Sequence, residues 1–137
     1  MNIKTKFYIN GDWVNPFHLN EFQVINPSNE EVCATISLGS QTDTDSAVEA
    51  ARNAFINWWK TSKKEKLKLL DRLLDVYIKR SDEMAKAIST EMGAPIDWAT
   101  EQQSKSGENH IKNFIKTYAE FNFEHYYNEK VGNYISY

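Results

Sequence analysis

The sequence predicts a mixed fold of the α+β kind, in which a hairpin and short strands precede about four helices. An Asn10-Gly11 pair between apolar runs predicts the hairpin, and apolar residues that alternate with polar ones over residues 32–38 predict a strand. From Thr42 onward, apolar residues recur every three or four positions, which is the period of a helix. With 137 residues, the chain has the size of one domain.

The strands are delimited by turn residues. Residues 7–14, "FYINGDWV", predict a two-residue hairpin because Asn10 and Gly11 both tolerate positive φ. Residues 22–25 and 32–38 predict two further strands around the turn "NPSNEE". Since successive side chains of a strand point to opposite faces, Cys33 falls on the more polar face of the second of these strands.

The first two helices are predicted from their caps. Thr42 with Asp45 predicts a capping-box-like start for a helix that ends at about Trp59, and Ser62 with Glu65 predicts the same device for the second helix. Beside the apolar stripe of the second helix, four lysines predict a solvated face: Lys63, Lys64, Lys66 and Lys68.

Two more helices follow. Ser81 predicts the start of the third and Gly93 its end. The residues predicted to face inward are Met84, Ala85, Ile88 and Met92. Pro95 suits the first turn of the fourth helix, and Gly107 inside it predicts a close approach of a neighbouring helix. Trp98, Ala99, Ile111, Phe114, Ile115 and Tyr118 give this helix an interrupted apolar face.

Composition narrows the class of protein. A net charge of -3 gives no reason to expect nucleic acid or an anionic membrane as a partner. The N-terminal residues lack the apolar run of a signal peptide, so we expect a soluble cytoplasmic protein without a membrane segment. One cysteine excludes an internal disulfide, and His18, His110 and His125 are too scattered to indicate a metal site.

Candidate catalytic residues stand alone. Cys33 has only Glu30 and Glu31 as charged neighbours in sequence, which disfavour a thiolate, so we interpret it as a packing residue. Glu91, Glu101 and His110 are candidate acids or bases, but no second group accompanies any of them. The five glycines are isolated from one another and form no phosphate-binding loop. From the residues alone we therefore predict no catalytic, cofactor-binding or metal-ligating residue in this chain.

The order of motifs resembles the N-terminal part of NAD(P)-dependent aldehyde dehydrogenases. The family has a Tyr-Ile-x-Gly-x-Trp opening, an Asn-Pro-x-x-Gly-Glu turn, an Asp-x-Asp-x-Ala-Val-x-Ala-Ala-x-x-Ala-Phe helix and a Glu-x-Gly-Lys-Pro helix end. The matching residues here are Tyr8, Ile9, Gly11 and Trp13; Asn26, Pro27 and Glu30; Asp43, Asp45, Ala47, Val48, Ala50, Ala51, Ala54 and Phe55; and Glu91, Gly93 and Pro95.

Three departures stand out. Asn29 is taken to replace the glycine of the turn, because asparagine tolerates the left-handed region. Ala94 replaces the lysine of the helix end. Gln103 stands where some relatives hold a monovalent cation with an aspartate, so the resemblance does not carry that site over to this chain.

The resemblance implies an α/β, Rossmann-type fold. Residues 1–120 would form the N-terminal part of the coenzyme-binding domain, and residues 121–137, which are rich in aromatics, the start of the β-arm that joins subunits. The complete enzyme would oxidise an aldehyde to a carboxylate with NAD or NADP. The partners of this chain would be the remainder of the enzyme and further subunits. The family's nucleophilic cysteine, general-base glutamate and glycine-rich turn would lie beyond Tyr137, so this chain alone is expected to be inactive and to bind no cofactor.

Two alternatives remain open from the sequence. One is a non-catalytic helical interaction module, which would use its aromatic C-terminal segment to add a strand to a partner sheet. The other is a small thiol-dependent enzyme, a hypothesis that depends on Cys33 alone.

Overall fold

A computed structural model describes residues 2–128 and 132–135, with side chains for residues 3–123. The strands are β1 (Asn2–Lys4), β2 (Phe7–Ile9), β3 (Asp12–Val14), β4 (Glu21–Asn26), β5 (Glu31–Ser37), β6 (Glu124–Asn128) and β7 (Gly132–Ile135). The helices are α1 (Gln41–Trp58), α2 (Lys63–Lys79), α3 (Ser81–Met92), the short α4 (Ile96–Trp98), a π-helix (Ala99–Ser104) and α5 (Lys105–Glu120). Met1 and, within the predicted arm, residues 129–131 and 136–137 lie outside the described residues.

The strands form separate small sheets. Strand β5 is central to a sheet of order β1-β5-β4, in which β1 runs parallel and β4 antiparallel to it. Strands β2 and β3 form the predicted hairpin, with Asn10 at φ 55° and Gly11 at φ 88°. Both turn residues have the positive φ that a two-residue hairpin turn of the Asn-Gly kind requires, so the prediction from the Asn-Gly pair is confirmed.

The turn between β4 and β5 corrects one expectation. The left-handed residue is Glu30, at φ 60°, and not Asn29. The Asn-Pro-x-x-Gly-Glu pattern, counted from Asn26, also places its glycine at position 30, so Glu31, and not Glu30, matches its glutamate. Asn29 instead uses its side chain, which accepts a hydrogen bond from the Glu31 backbone N–H at 3.1 Å, while the Glu30 N–H donates to the Asn26 carbonyl at 2.8 Å.

Helix α1 begins earlier than predicted. Its N-cap is Ser40, whose hydroxyl accepts from the Asp43 N–H, while the Asp43 carboxylate accepts from the Ser40 backbone N–H at 2.8 Å. Thr42 therefore lies inside the helix and is not its cap. Ser40-x-x-Asp43 fits the same pattern as Thr42-x-x-Asp45, and it prevails because Asp43 also accepts from the Phe17 N–H at 2.8 Å. In α2, the predicted Ser62–Glu65 capping box is confirmed.

Helix α3 has the predicted ends and a different inward face. It begins at Ser81, and Gly93 ends it in the left-handed conformation at φ 70°. Ala85 is buried, as predicted, and Ile88 is half-buried. Met84 and Met92 are exposed, so the predicted inward orientation is wrong for both methionines. The stripe that faces the neighbouring elements runs instead through Ser81, Ala85, Ile88 and Ser89.

The predicted fourth helix is one helical stretch with a wide turn inside it. Pro95 is its N-cap, one residue before the predicted place in the first turn. After α4, the π-helix packs on α3, whereas α5 packs on α2. The wide turn explains the interrupted apolar face, because residues on its two sides belong to different helical phases.

The core is small and partly polar. Within residues 3–123, the buried apolar residues are Ala85 and Ala99, which lie where α3 packs against the π-helix. Thr35, Ser37, Ser104 and Glu108 are also buried. Helices α1 and α2 bury no residue fully, and many of their apolar side chains are exposed.

Candidate functional site

A cluster of aromatic side chains lies where the helices end and the last strands begin. We call the aromatic side chains of Phe114, Tyr118, Phe121 and Phe123 the aromatic joint. Phe114 and Tyr118 stack at 5.9 Å between ring centroids, Tyr118 and Phe123 meet edge to face at 5.6 Å, and Phe121 and Phe123 do so at 4.8 Å. The joint therefore links α5 to the residue that precedes β6.

One lysine from a distant part of the sequence contacts this joint. Lys63, in the first turn of α2, donates from Nζ to the Phe121 carbonyl at 2.8 Å. The same ammonium lies 5.9 Å from the ring centroids of Tyr118 and of Phe123. Lys63 is half-buried, and Lys66, also half-buried, lies 5.6 Å from the Trp58 ring centroid. The predicted solvated face therefore holds for Lys64 and Lys68 and is wrong for Lys63 and Lys66.

An apolar groove runs beside the joint. It has a volume of about 470 Å³ and is lined by Trp58, Leu69, Leu73, Phe114 and Tyr118 among others. Apolar side chains of α1 and of its C-cap are also uncovered: Phe55 is 61% exposed and Trp59 is 59% exposed. Exposed apolar area of this extent is typical of surfaces that contact other protein.

A hydrogen-bonded junction holds α2, α3 and the long fourth helix together. The Tyr77 hydroxyl donates to the Ser104 carbonyl at 2.9 Å, and the Ser104 hydroxyl donates to the Ser81 carbonyl at 3.1 Å. A methyl group on Gly107 would lie 2.8 Å from Tyr77 Cζ and closer still to its hydroxyl. The prediction that Gly107 permits a close helix approach is therefore confirmed.

Glu108 is the buried charged residue of this region. Its side chain is 7% exposed and accepts from the ammonium groups of Lys105 at 2.7 Å and Lys112 at 2.5 Å. These charged hydrogen bonds, from Lys105 first and Lys112 second, lower the pKa of the Glu108 carboxyl. The two ion pairs thus keep the buried Glu108 carboxylate negatively charged.

Cys33 lies at an irregularity of the sheet. Val24 pairs with Ala34 and Ile25 with Val32, so Cys33 is the extra residue of a β-bulge. Its thiol is half-buried and donates to the Val24 carbonyl at 3.3 Å. That Cys33 is a packing residue and not a nucleophile stays a prediction.

The remaining candidates do not assemble. Glu91, Glu101 and His110 lie on α3, the π-helix and α5, and all three are exposed. Across the described ranges no group of His, Cys, Asp or Glu side chains could hold a metal ion. Gln103 lies half-buried in the π-helix, and its side-chain oxygen is buried without a hydrogen-bond partner.

Sequence reasoning missed the lysine contacts of Glu108 and of Phe121 for different reasons. The spacing of Lys105, Glu108 and Lys112, three and four residues apart, is a readable signal for ion pairs on one helix face. The contact of Lys63 with Phe121 spans 58 residues, and no local pattern indicates it.

Among the described helices, none is both long and apolar enough to cross a membrane.

Comparisons with known proteins agree on one family. The model of the aldehyde dehydrogenase family matches residues 13–136. A 3-succinoylsemialdehyde-pyridine dehydrogenase of a Pseudomonas species is 41% identical over 120 residues, which are 87% of this chain and 25% of that protein. The chain thus spans about a quarter of the length of the curated relatives that it matches.

Solved structures give the same result. An aldehyde dehydrogenase from Bartonella henselae superimposes with a TM-score of 0.92 at 51% identity, over 94% of this chain and 27% of that one. A mutant aldehyde dehydrogenase from Pseudomonas syringae, solved with NAD+ and octanal, superimposes with a TM-score of 0.87 at 37% identity, over 90% of this chain and 26% of that one. The predicted fold class, the N-terminal part of a Rossmann-type domain, is confirmed.

Proposed function

Because this chain belongs to the aldehyde dehydrogenase family and matches its N-terminal portion, we propose that it forms that portion of an enzyme that oxidises aldehydes to carboxylates with NAD or NADP. The observation that carries the proposal is the superposition on the Bartonella henselae enzyme, with a TM-score of 0.92 at 51% identity. Similarity of this order in both sequence and backbone supports a shared role for the matched segment.

We also propose that the junction between β5 and α1 does not bind a dinucleotide. A phosphate would need free N–H groups where a strand leads into a helix, and here β5 leads into α1. At that place the Asp43 carboxylate already accepts from the Ser40 N–H at 2.8 Å and from the Ser40 hydroxyl at 2.6 Å. Because this carboxylate would repel a phosphate at the start of α1, we derive no catalytic step from this junction.

We further propose that residues 1–120 are the N-terminal part of the coenzyme-binding domain and that residues 121–137 begin the oligomerisation arm. The separate sheet of β6 and β7 supports the second assignment. The outward apolar faces of α1 and α2 support the first, because the remainder of such a domain would cover them. Further subunits of the same enzyme are the partners that this division implies.

We propose a cytoplasmic location, which the use of cysteine within these 137 residues supports. Cys33 is the only cysteine and is free, as expected of a protein that needs no disulfide.

A chimeric enzyme tests the proposal. The part of the Bartonella henselae enzyme that aligns with this chain is replaced by residues 1–137, and reduction of NAD+ and NADP+ is measured with short aliphatic aldehydes. We expect turnover from the chimera and none from the purified chain. A folded chimera without turnover contradicts the proposal. Turnover by the chain alone that Cys33→Ala abolishes would instead establish the thiol-dependent alternative.

The interaction module is the second candidate function. It is favoured by the β6–β7 hairpin, whose outer edges have no strand partner within the described ranges. If the purified chain is a monodisperse monomer that unfolds cooperatively, the independent module is favoured. If it is molten or aggregates, its exposed apolar faces require the remainder of the enzyme.

A further inference from the structure

We propose that Lys63 fixes the direction in which the β6–β7 hairpin leaves the helical layer, and that it thereby presents the hairpin to a second copy of the chain. The role of the second copy rests on the proposed function of residues 121–137 as an arm. The role of Lys63 in holding the hairpin does not.

The chain changes direction at the residue that Lys63 binds. Phe121 is the C-cap of α5, and its backbone has already turned extended, at φ -65° and ψ 128°. The last carbonyls of a helix carry partial negative charge and lack partners within the helix. Helix α5 has no basic residue in its last turn, so the compensating cation comes from Lys63 of α2.

Lys63 is itself held in place. Ser62 caps α2 and Glu65 completes the capping box, with the Ser62 N–H donating to the Glu65 carboxylate at 3.1 Å. The stem of Lys63 therefore begins from a fixed helix end. A charged donor on a fixed base gives a directional restraint stronger than that of a neutral hydrogen bond.

The same ammonium also contacts both sides of the bend. Its Nζ lies 5.9 Å from the ring centroid of Tyr118, on the helix, and 5.9 Å from that of Phe123, just before β6. Cation–π attraction at this range holds both rings toward one charge.

The hairpin needs such an anchor. Strands β6 and β7 form a two-stranded sheet apart from the others, and an isolated hairpin is only marginally stable in water. Its edges can accept a strand from another chain, and a partner of the same kind would offer the same edge in return. Such pairing is strongest when the hairpin is already oriented, because less freedom is then lost on association.

A matched pair of lysine variants tests the proposal in the 137-residue chain. Lys63→Met removes the ammonium and keeps much of the stem, and Lys64→Met makes the same change at an exposed neighbour. Hydrogen exchange of the β6 and β7 backbone amides is measured by mass spectrometry, and self-association is measured by sedimentation over a range of concentrations. We expect about tenfold faster exchange in the hairpin and about tenfold weaker association for Lys63→Met, the size expected from the loss of one charged hydrogen bond, and no change for Lys64→Met.

The outcomes separate the two parts of the proposal. Unchanged exchange of the hairpin in Lys63→Met overturns the anchoring role, and so does faster exchange that extends equally through α2 and α3. Faster exchange confined to the hairpin with unchanged association overturns the second copy as its partner and, with it, the arm. Lys63→Arg, which keeps a cationic donor, is expected to recover most of the protection, and its failure to do so counts against a role for the charge.

Discussion

Replacement of Gly107 by alanine is expected to destabilise the chain, although alanine is the better helix former. The exchange gains about 1 kcal/mol of helix propensity. The added methyl group would lie 2.8 Å from Tyr77 Cζ, so the ring must shift, and forcing a group into a packed contact costs about 1–3 kcal/mol. The shift also breaks the bond from the Tyr77 hydroxyl to the Ser104 carbonyl, which contributes about 1 kcal/mol. The net loss in free energy of unfolding is therefore about 1–3 kcal/mol.

Urea unfolding followed by far-ultraviolet circular dichroism measures this loss. Ser106→Ala, one position earlier on an exposed face, is the control and is expected to be neutral or slightly stabilising. In a Tyr77→Leu background the clashing ring is gone, so Gly107→Ala should become neutral or stabilising by about 1 kcal/mol. An increase in stability for Gly107→Ala with Tyr77 present would refute the close approach of the two helices.

Three further predictions follow from the turn, the cap and the buried carboxylate. Glu30→Gly is expected to raise the free energy of unfolding by about 0.5–1 kcal/mol in urea titrations. Glycine removes the cost of about 1–2 kcal/mol that a non-glycine residue has in the left-handed region, but part of this gain is offset because glycine loses more conformational entropy on folding. Ser40→Ala is expected to lower it by about 1 kcal/mol through loss of the cap, whereas Thr42→Ala is not expected to lower it. The pKa of Glu108 is lowered in the folded chain, so its ion pairs stabilise the fold above the unfolded carboxyl pKa of about 4.3, and this contribution is lost as the pH falls through the lower folded value. The stability difference between wild type and Glu108→Gln should therefore be largest near neutral pH and shrink in acid.

Each of these has a sharp control. Asn29→Gly should give no gain if the strain is at Glu30, and a gain at position 29 instead would restore the original expectation for the turn. A larger loss for Thr42→Ala than for Ser40→Ala would show that the helix starts at the later site. Glu101→Gln, at an exposed carboxylate of the same helical stretch, should leave the pH profile unchanged, and a profile of Glu108→Gln parallel to wild type at all pH values would contradict the ion pairs.

Features encoded by adjacent residues could be predicted from the sequence. The Asn10-Gly11 hairpin, the Ser62–Glu65 box and the stop at Gly93 each depend on conformational preferences or hydrogen bonds within a few residues. Where two local solutions compete, as with Ser40 and Thr42, the sequence does not rank them. The choice depends on Asp43 accepting from Phe17, a contact over 26 residues.

Features that depend on distant elements could not be predicted. Met84 and Met92 share the apolar character of Ala85, and only the position of the π-helix decides which of them is covered. The burial of Glu108 and the anchoring of Phe121 by Lys63 likewise depend on how α2 and α5 meet. The candidate site therefore came almost wholly from the packing of helices, and the family resemblance came from the local motifs.

The π-helix at Ala99–Ser104 has a consequence for how sequences of this family are aligned. A turn closed by i→i+5 bonds holds one more residue than an α-helical turn. The helical residues after it are therefore rotated about the helix axis relative to those before it. Because the stretch before α5 packs on α3 and α5 packs on α2, each contact can be kept while the connection gains or loses a residue. One-residue length differences between relatives should therefore fall within positions 99–104, and an alignment that places them elsewhere in the helix would put the wrong face against α2.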